Sequence, residues 1–156
     1  MKKFQPLVLL FVVLPLLSSC GKQSKLDVTV VTGTVTVDGR PMGEISITFY
    51  PVDGNEIAAF GSTDTQGKFN LSSPSVPVGS GALPGEYVPT FSKTETEERP
   101  AAATLEEHAR LYGDTLPEVF HLIPQKYGDP KTCGIAPVRV EKGKKNHFDF
   151  ELKSSI

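Results

Sequence analysis

Two thiols, three imidazoles and a scatter of carboxylates are the groups in this chain that could do chemistry, and their spacing limits which chemistry. Cys20 directly follows an apolar run and two serines; a thiol there is the only strong nucleophile available to take a diacylglyceryl group. His108, His121 and His147 form no H-x-x-x-H or H-E-x-x-H pair, so a zinc-peptidase helix is not indicated. His147, Asp149 and Glu151 recur at i, i+2, i+4, which puts them on one face of a strand. A flat, exposed row without an enclosing shell is a poor metal site, and we read it as a solvated strand face. No G-x-S-x-G elbow presents a serine, and no glycine-rich phosphate loop opens a helix. Cys133 has no histidine near it in sequence to draw off its proton. Asp64 offers one carboxylate in a short D-T-Q-G loop, where calcium wants six or more oxygens. The expectation is a chain without catalysis, cofactor or metal.

The first twenty residues explain Cys20. Lys2 and Lys3 precede an unbroken apolar run, Leu7 to Leu17. As a helix that run reaches roughly 16 Å, about half of a ~30 Å hydrocarbon core, so it suits the h-region of a signal peptide better than a spanning helix. Pro15 breaks it just before the small residues. Leu17-Ser18-Ser19-Cys20 resembles the bacterial lipobox, in which a branched apolar residue and two small residues precede the cysteine to be lipidated. The resemblance implies cleavage after residue 19, lipid on Cys20, and a place in the cell envelope, anchored to the outer or inner membrane. Residues 20–27, small and polar, read as a tether.

The remainder of the chain must supply a fold. Without residues 1–19 the chain carries 14 basic and 18 acidic side chains, net −4, and no basic stripe, which disfavours nucleic acid as a partner. Gly and Pro are abundant and Trp is absent, which favours a turn-rich β protein. With Cys20 lipidated, Cys133 has no intrachain partner, and packing alone must hold the domain.

A period of two runs through the chain. Val31, Gly33, Val35 and Val37 alternate with threonines up to an Asp38-Gly39 turn; Ile45, Ile47 and Phe49 continue in the same manner. A third strand spans about Ile57 to Thr63, and Asp64 to Gly67 turns the chain into a fourth carrying Phe69 and Leu71. Tyr87 and Phe91 share a face with Pro89, so that strand must lie at a sheet edge or bulge there. Val138 and Val140, then Phe148, Phe150 and Leu152, complete about seven short strands, an all-β sandwich over residues 28–153.

An insertion of about 94–134 interrupts the rhythm. Thr104 and Glu107 have capping-box spacing, Leu105, His108, Ala109 and Tyr112 share a face, and Gly113 fits a C-cap. So short a helix is marginal alone and is expected to lean on the sandwich. Ile123-Pro124 and Gly128-Asp129-Pro130 prescribe an extended, then turned path that lays Tyr127 over the sandwich edge or offers it to a ligand.

Several of these motifs resemble the carboxypeptidase regulatory-like (transthyretin-like) β-sandwich domains: Val31-Thr32-Gly33-Thr34-Val35 with Asp38-Gly39-Arg40-Pro41, Thr63 to Phe69, and Leu83-Pro84-Gly85-Glu86-Tyr87. Ile123 to Tyr127, continuing through Asp129 to Gly134, is similar to a motif of small planctomycete lipoproteins with this domain. Two positions depart from the family pattern: Cys133 stands where serine is usual, and Pro89 where a branched apolar residue is usual. A purine-pathway hydrolase of the transthyretin-like branch ends in Tyr-Arg-Gly-Ser; this chain ends Leu152-Lys153-Ser154-Ser155-Ile156, so that activity does not carry over. The resemblance implies a non-catalytic binding or scaffolding module that contacts an envelope protein or polysaccharide, with Tyr112 and Tyr127 as candidate contacts. A carbohydrate- or ion-binding accessory module is the competing class, and Tyr50 and Tyr112 are the aromatics it would expose; a hydrolase comes third.

Overall fold

A computed structural model of the chain describes residues 26–54, 57–74, 76–101 and 104–154. The segment expected to be a signal peptide, Cys20 and most of the expected tether lie outside these residues. In chain order the elements are β1 (Val31–Val37), β2 (Arg40–Pro41), β3 (Ser46–Pro51), β4 (Ala59–Ser62), β5 (Lys68–Asn70), β6 (Gly85–Ser92), β7 (Thr94–Thr96), α1 (Leu105–Tyr112), β8 (Val119–His121), a 3-10 turn (Gln125–Gly128), β9 (Val138–Val140) and β10 (Asn146–Leu152).

Two sheets form the all-β sandwich. In one, β1 is central: β10 pairs parallel to it along its whole length, while β5 and β2 pair antiparallel on its other side. The other has the order β4-β3-β6-β9, all antiparallel. Bridges between Thr63 and Phe69 and between Phe60 and Ser72 join β4 to β5, closing one side of the sandwich. Setting aside the two-residue β2 and the β7–β8 pair, seven strands build the body.

The period-two reading holds in detail on β1, where Val31, Val35 and Val37 are buried and Thr32, Thr34 and Thr36 half-buried on the other face. Gly33 shares the buried face because nothing larger fits: a Cβ there would lie 1.9 Å from the Phe148 carbonyl oxygen and 2.6 Å from the Phe69 ring. The Asp38-Gly39 turn takes positive φ at both residues, 51° and 75°, as a two-residue hairpin demands. The returning strand is only Arg40–Pro41, after which the chain crosses to the second sheet. Asp64 makes the expected Asx turn: its Oδ1 accepts from the Gln66 and Lys68 amides at 2.8 and 2.9 Å, with Gly67 at φ 74°.

The interior is aromatic at its centre. The Phe150 ring lies 5.0 Å from Phe91, 6.2 Å from both Phe49 and Phe69, and 6.4 Å from Phe148. Neither expectation at Pro89 holds for the whole strand: β6 lies between β3 and β9, and only from Val88 onward is one of its sides unpaired. Pairing with β3 runs through Pro89 without a bulge, whereas pairing with β9 ends at Tyr87. The missing amide therefore costs no rung on the β9 side.

Candidate functional site

The 94–134 segment divides into two parts with different roles. Its second part belongs to the body. Ile123, Tyr127 and Cys133 are 3–7% exposed, and the turn Gln125–Gly128 packs against β6 where β9 has ended. The Tyr127 hydroxyl accepts from the Lys153 amide at 3.1 Å, which ties the C-terminal strand to this cover. Tyr127 is thus an edge cover. The Cys133 thiol faces the carbonyls of Pro130 and Ile135 at 3.7 and 4.0 Å.

The first part is an arm. β7 continues β6 after one residue and pairs antiparallel with β8, matching Thr94 with His121, Glu95 with Phe120 and Thr96 with Val119. Beyond the ribbon the Glu97 amide donates to the Glu118 carbonyl at 2.7 Å, and the chain then forms α1. The stretch that interrupts the strand rhythm in the sequence thus holds two strands of its own, and Thr-Glu-Thr and Val-Phe-His are too short to show a period. The expectation that the helix leans on the sandwich is corrected, since none of its residues is buried. It is held from within its own tip. The Thr104 hydroxyl accepts from the Glu107 amide at 3.1 Å, and the Gly113 amide closes on the Ala109 carbonyl. Arg99 braces the rest, donating to the Thr115 and Leu116 carbonyls at 2.6 and 2.8 Å, pairing with Glu97 at 3.0 Å, and lying 4.9 Å over the Tyr112 ring. The Tyr112 hydroxyl donates to the Pro100 carbonyl at 3.2 Å, so this candidate contact is half-occupied in bracing the arm. Hydrogen bonds from the Glu118 amide and then from Arg99 hold the Glu97 carboxyl below its ordinary range.

What the arm shows to solvent is unusual. Of the twelve large apolar side chains exposed among the described residues, six stand on it: Leu105, Leu111, Leu116, Val119, Phe120 and Leu122. Residues 94–122 also hold seven acidic and two basic side chains, net −5, so the negative charge of the chain, net −2 in all, is concentrated here.

A second feature is a groove of about 900 Å³ on the outer face, where β1, β5, β4 and β3 run side by side. Phe60, 48% exposed, stands in it among Thr48, Ser62 and Asn70, with Thr32 and His147 at one side. Sequence reasoning missed Phe60. On β4 the alternation buries Ala59 and turns the larger Phe60 outward, the reverse of what side-chain size suggests. Tyr50, which the sequence did single out, is 41% exposed but lies outside the groove.

The β10 row sits as expected. His147, Asp149 and Glu151 are exposed, but each is engaged with a neighbour: His147 Nδ1 with Thr32 at 3.0 Å, His147 Nε2 with Asp149 at 3.3 Å, and Glu151 with Lys153. The Thr34 hydroxyl donates to Asp149 and is the main cause of a carboxyl held below its ordinary range, with His147 adding to it.

Comparison with family models and with curated proteins gives no match. Among solved structures, a candidate adhesin from Bacteroides ovatus aligns over 81% of this chain and 44% of its own, at TM-score 0.40 and 14% identity. A 9R-lipoxygenase from Cyanothece aligns over 81% of this chain and 16% of its own, at TM-score 0.36 and 11% identity. This chain thus spans less than half the length of either. Among the described residues no helix is long and apolar enough to cross a membrane.

Proposed function

We propose that this chain is a non-catalytic binding module of the bacterial cell envelope, held to a membrane by lipid on Cys20, and that the arm is the element it presents to a protein partner. The carboxypeptidase regulatory-like family is part of the same proposal, supported by the sandwich and by the Asp64 turn. The observation that carries the contact role is the concentration of exposed apolar side chains on a hydrogen-bonded arm with net charge −5. Isolated exposed apolar residues are ordinary, but a cluster on one projecting element marks an interaction site. The charge selects a partner with a basic rim around an apolar cleft, because opposite potentials speed encounter and exclude wrong partners.

The test places a photoreactive residue at Leu116, 87% exposed on the arm, or at Val52, 48% exposed on the body. Illumination of cells should give a discrete adduct from Leu116 and none from Val52. In isolated membranes that adduct should weaken as ionic strength rises from about 0.1 to 0.5 M. Cys20→Ser should abolish labelling by fatty acid, since stable residence needs more than one acyl chain and the thiol is where they are built. Adducts from Val52 alone would overturn the arm, and equal lipid labelling of wild type and Cys20→Ser would overturn the anchor.

A further inference from the structure

We propose that the outer-face groove is a binding site for a neutral saccharide chain, a contact independent of the arm. A sugar ring has an apolar C–H face and a rim of hydroxyls, and it is recognised by an exposed aromatic ring with hydrogen-bonding groups to either side. The groove has that composition. Phe60 lies directly opposite Thr48 across the β3–β4 ladder, and Ser62 lies opposite Ser46 two pairs further on, on the same face. The side chains of Ser46, Thr48, Ser62 and Asn70 make no hydrogen bond with other described residues, so their donors and acceptors are open to a ligand on both sides of the ring.

The register keeps the ring there. Gly61, the next residue, faces β5 so closely that a Cβ would lie 2.4 Å from the Asn70 carbonyl oxygen. Turning β4 over to bury Phe60 would bring a side chain larger than glycine to that contact. The phenyl therefore stays outside, at the cost of leaving a large apolar ring in water.

Size and charge narrow the ligand. Four strands at about 4.8 Å spacing span roughly 14 Å, and about 900 Å³ lies at the upper end of small-ligand sites, which suits several linked rings over one. The charged groups at the margin are already engaged: Lys68 donates to Gln66 at 2.9 Å, Asp64 accepts from two backbone amides, and His147 is held by Thr32 and Asp149. Lys68 and Asp64 are of opposite sign and offset each other at that margin, so the groove offers a charged polymer no net counter-charge. A peptide strand finds no free edge either, since the groove crosses a face whose backbone groups pair within the ladders.

The experiment is affinity electrophoresis of the full mature chain in detergent micelles. The gels carry soluble xylan, galactomannan or hydroxyethyl cellulose, with polygalacturonate as the charged control. At least one neutral polymer should retard the protein. Phe60→Ala should weaken that retardation about tenfold, the scale of one lost aromatic contact. Thr48→Val, which keeps shape and removes the hydroxyl, should weaken it less, and serves as the test if Phe60→Ala does not fold. Tyr50→Ala and removal of the arm tip should leave it unchanged, which separates failure here from failure of the arm proposal. Retardation by none of the neutral polymers, retardation by polygalacturonate alone, or retardation that survives both Phe60→Ala and Thr48→Val would overturn the assignment.

Discussion

Replacing Glu98–Pro117 by Asn-Gly removes the arm tip and leaves the ribbon, closed at the Glu97–Glu118 pair by a two-residue turn. Because no residue of α1 is buried, the replacement uncovers no sandwich surface. Shortening the loop from 20 residues to two, more than three doublings, returns about 2 kcal/mol of closure entropy. Against this stands the loss of the tip's solvent-exposed hydrogen bonds, each worth about 0.5–1.5 kcal/mol at most. Those bonds hold almost only residues that leave with them, so the body is little changed and the melting temperature should stay within about 3 °C of wild type or rise. If instead Leu105, Ala109 and Tyr112 were packed on the sandwich, their apolar area would be worth about 2–4 kcal/mol. At about 4 °C per kcal/mol the deletion would then melt roughly 8–16 °C lower. Thermal melts followed by circular dichroism near 218 nm separate the two outcomes. A cooperative melt lowered by 8 °C or more would show that the tip supports the body, and the account of a self-braced arm would fall.

Phe150→Ala removes the ring that touches four other phenylalanines; half-buried as it is, it should cost about 3 kcal/mol, the lower end for such a change. Asp149→Ala, on the opposite face of the same strand, should melt close to wild type; similar melts for the two variants would overturn the β10 register. Gly33→Ala should prevent β1 and β10 from pairing, since its methyl would sit 1.9 Å from a backbone oxygen, and the product should be insoluble or lack a cooperative melt. Thr34→Ala, one residue on and facing outward, is the control that should fold.

Much of the body was legible because each strand has one wet face. The alternations at Val31–Val37 and Phe148–Leu152 placed side chains in or out correctly, and the turns at Asp38-Gly39 and Asp64–Gly67 carry their own chemistry. Pairing was not legible. Nothing in β1 or β10 reveals that strands 115 residues apart in sequence lie parallel and in register from Val31–Asn146 to Val37–Leu152. The arm was hidden for a different reason: three-residue strands have too few positions to establish a period, and the strength of the ribbon comes from the strand that it extends. Phe60 was obscured because the contact that fixes it is made by its neighbour. Gly61 and Asn70 approach too closely for any inward side chain, a constraint that exists only once β4 and β5 meet. Tyr127 lay between, since its Pro- and Gly-bounded path fixed where it goes but not that Lys153 would meet its hydroxyl.

Pro89 links these features. A strand with a proline on its buried face cannot be paired on both sides throughout, so β6 loses β9 after Tyr87 and needs another cover. The cover is the Gln125–Gly128 turn with Tyr127, 33 residues beyond Ser92 at its start, and the chain between must leave the body and come back. It leaves along the line of β6 as β7 and returns as β8, which is why the arm is a ribbon continuous with a core strand and has a stiff base. Lys93 fastens that base: its Nζ donates to the Gly43 carbonyl at 2.8 Å and pairs with Glu44 at 3.7 Å. Gly43 in turn packs against Asp64, where a Cβ would stand 3.0 Å from the carbonyl oxygen, and Asp64 lies at the margin of the groove. Lys93 thus braces the arm, while the ring in the groove is fixed separately by the close approach of Gly61 to Asn70. Lys93→Ala should loosen the arm without touching Phe60, so it should weaken the Leu116 adduct while leaving polysaccharide retardation intact. Loss of both together would mean that the groove and the arm act as a single site.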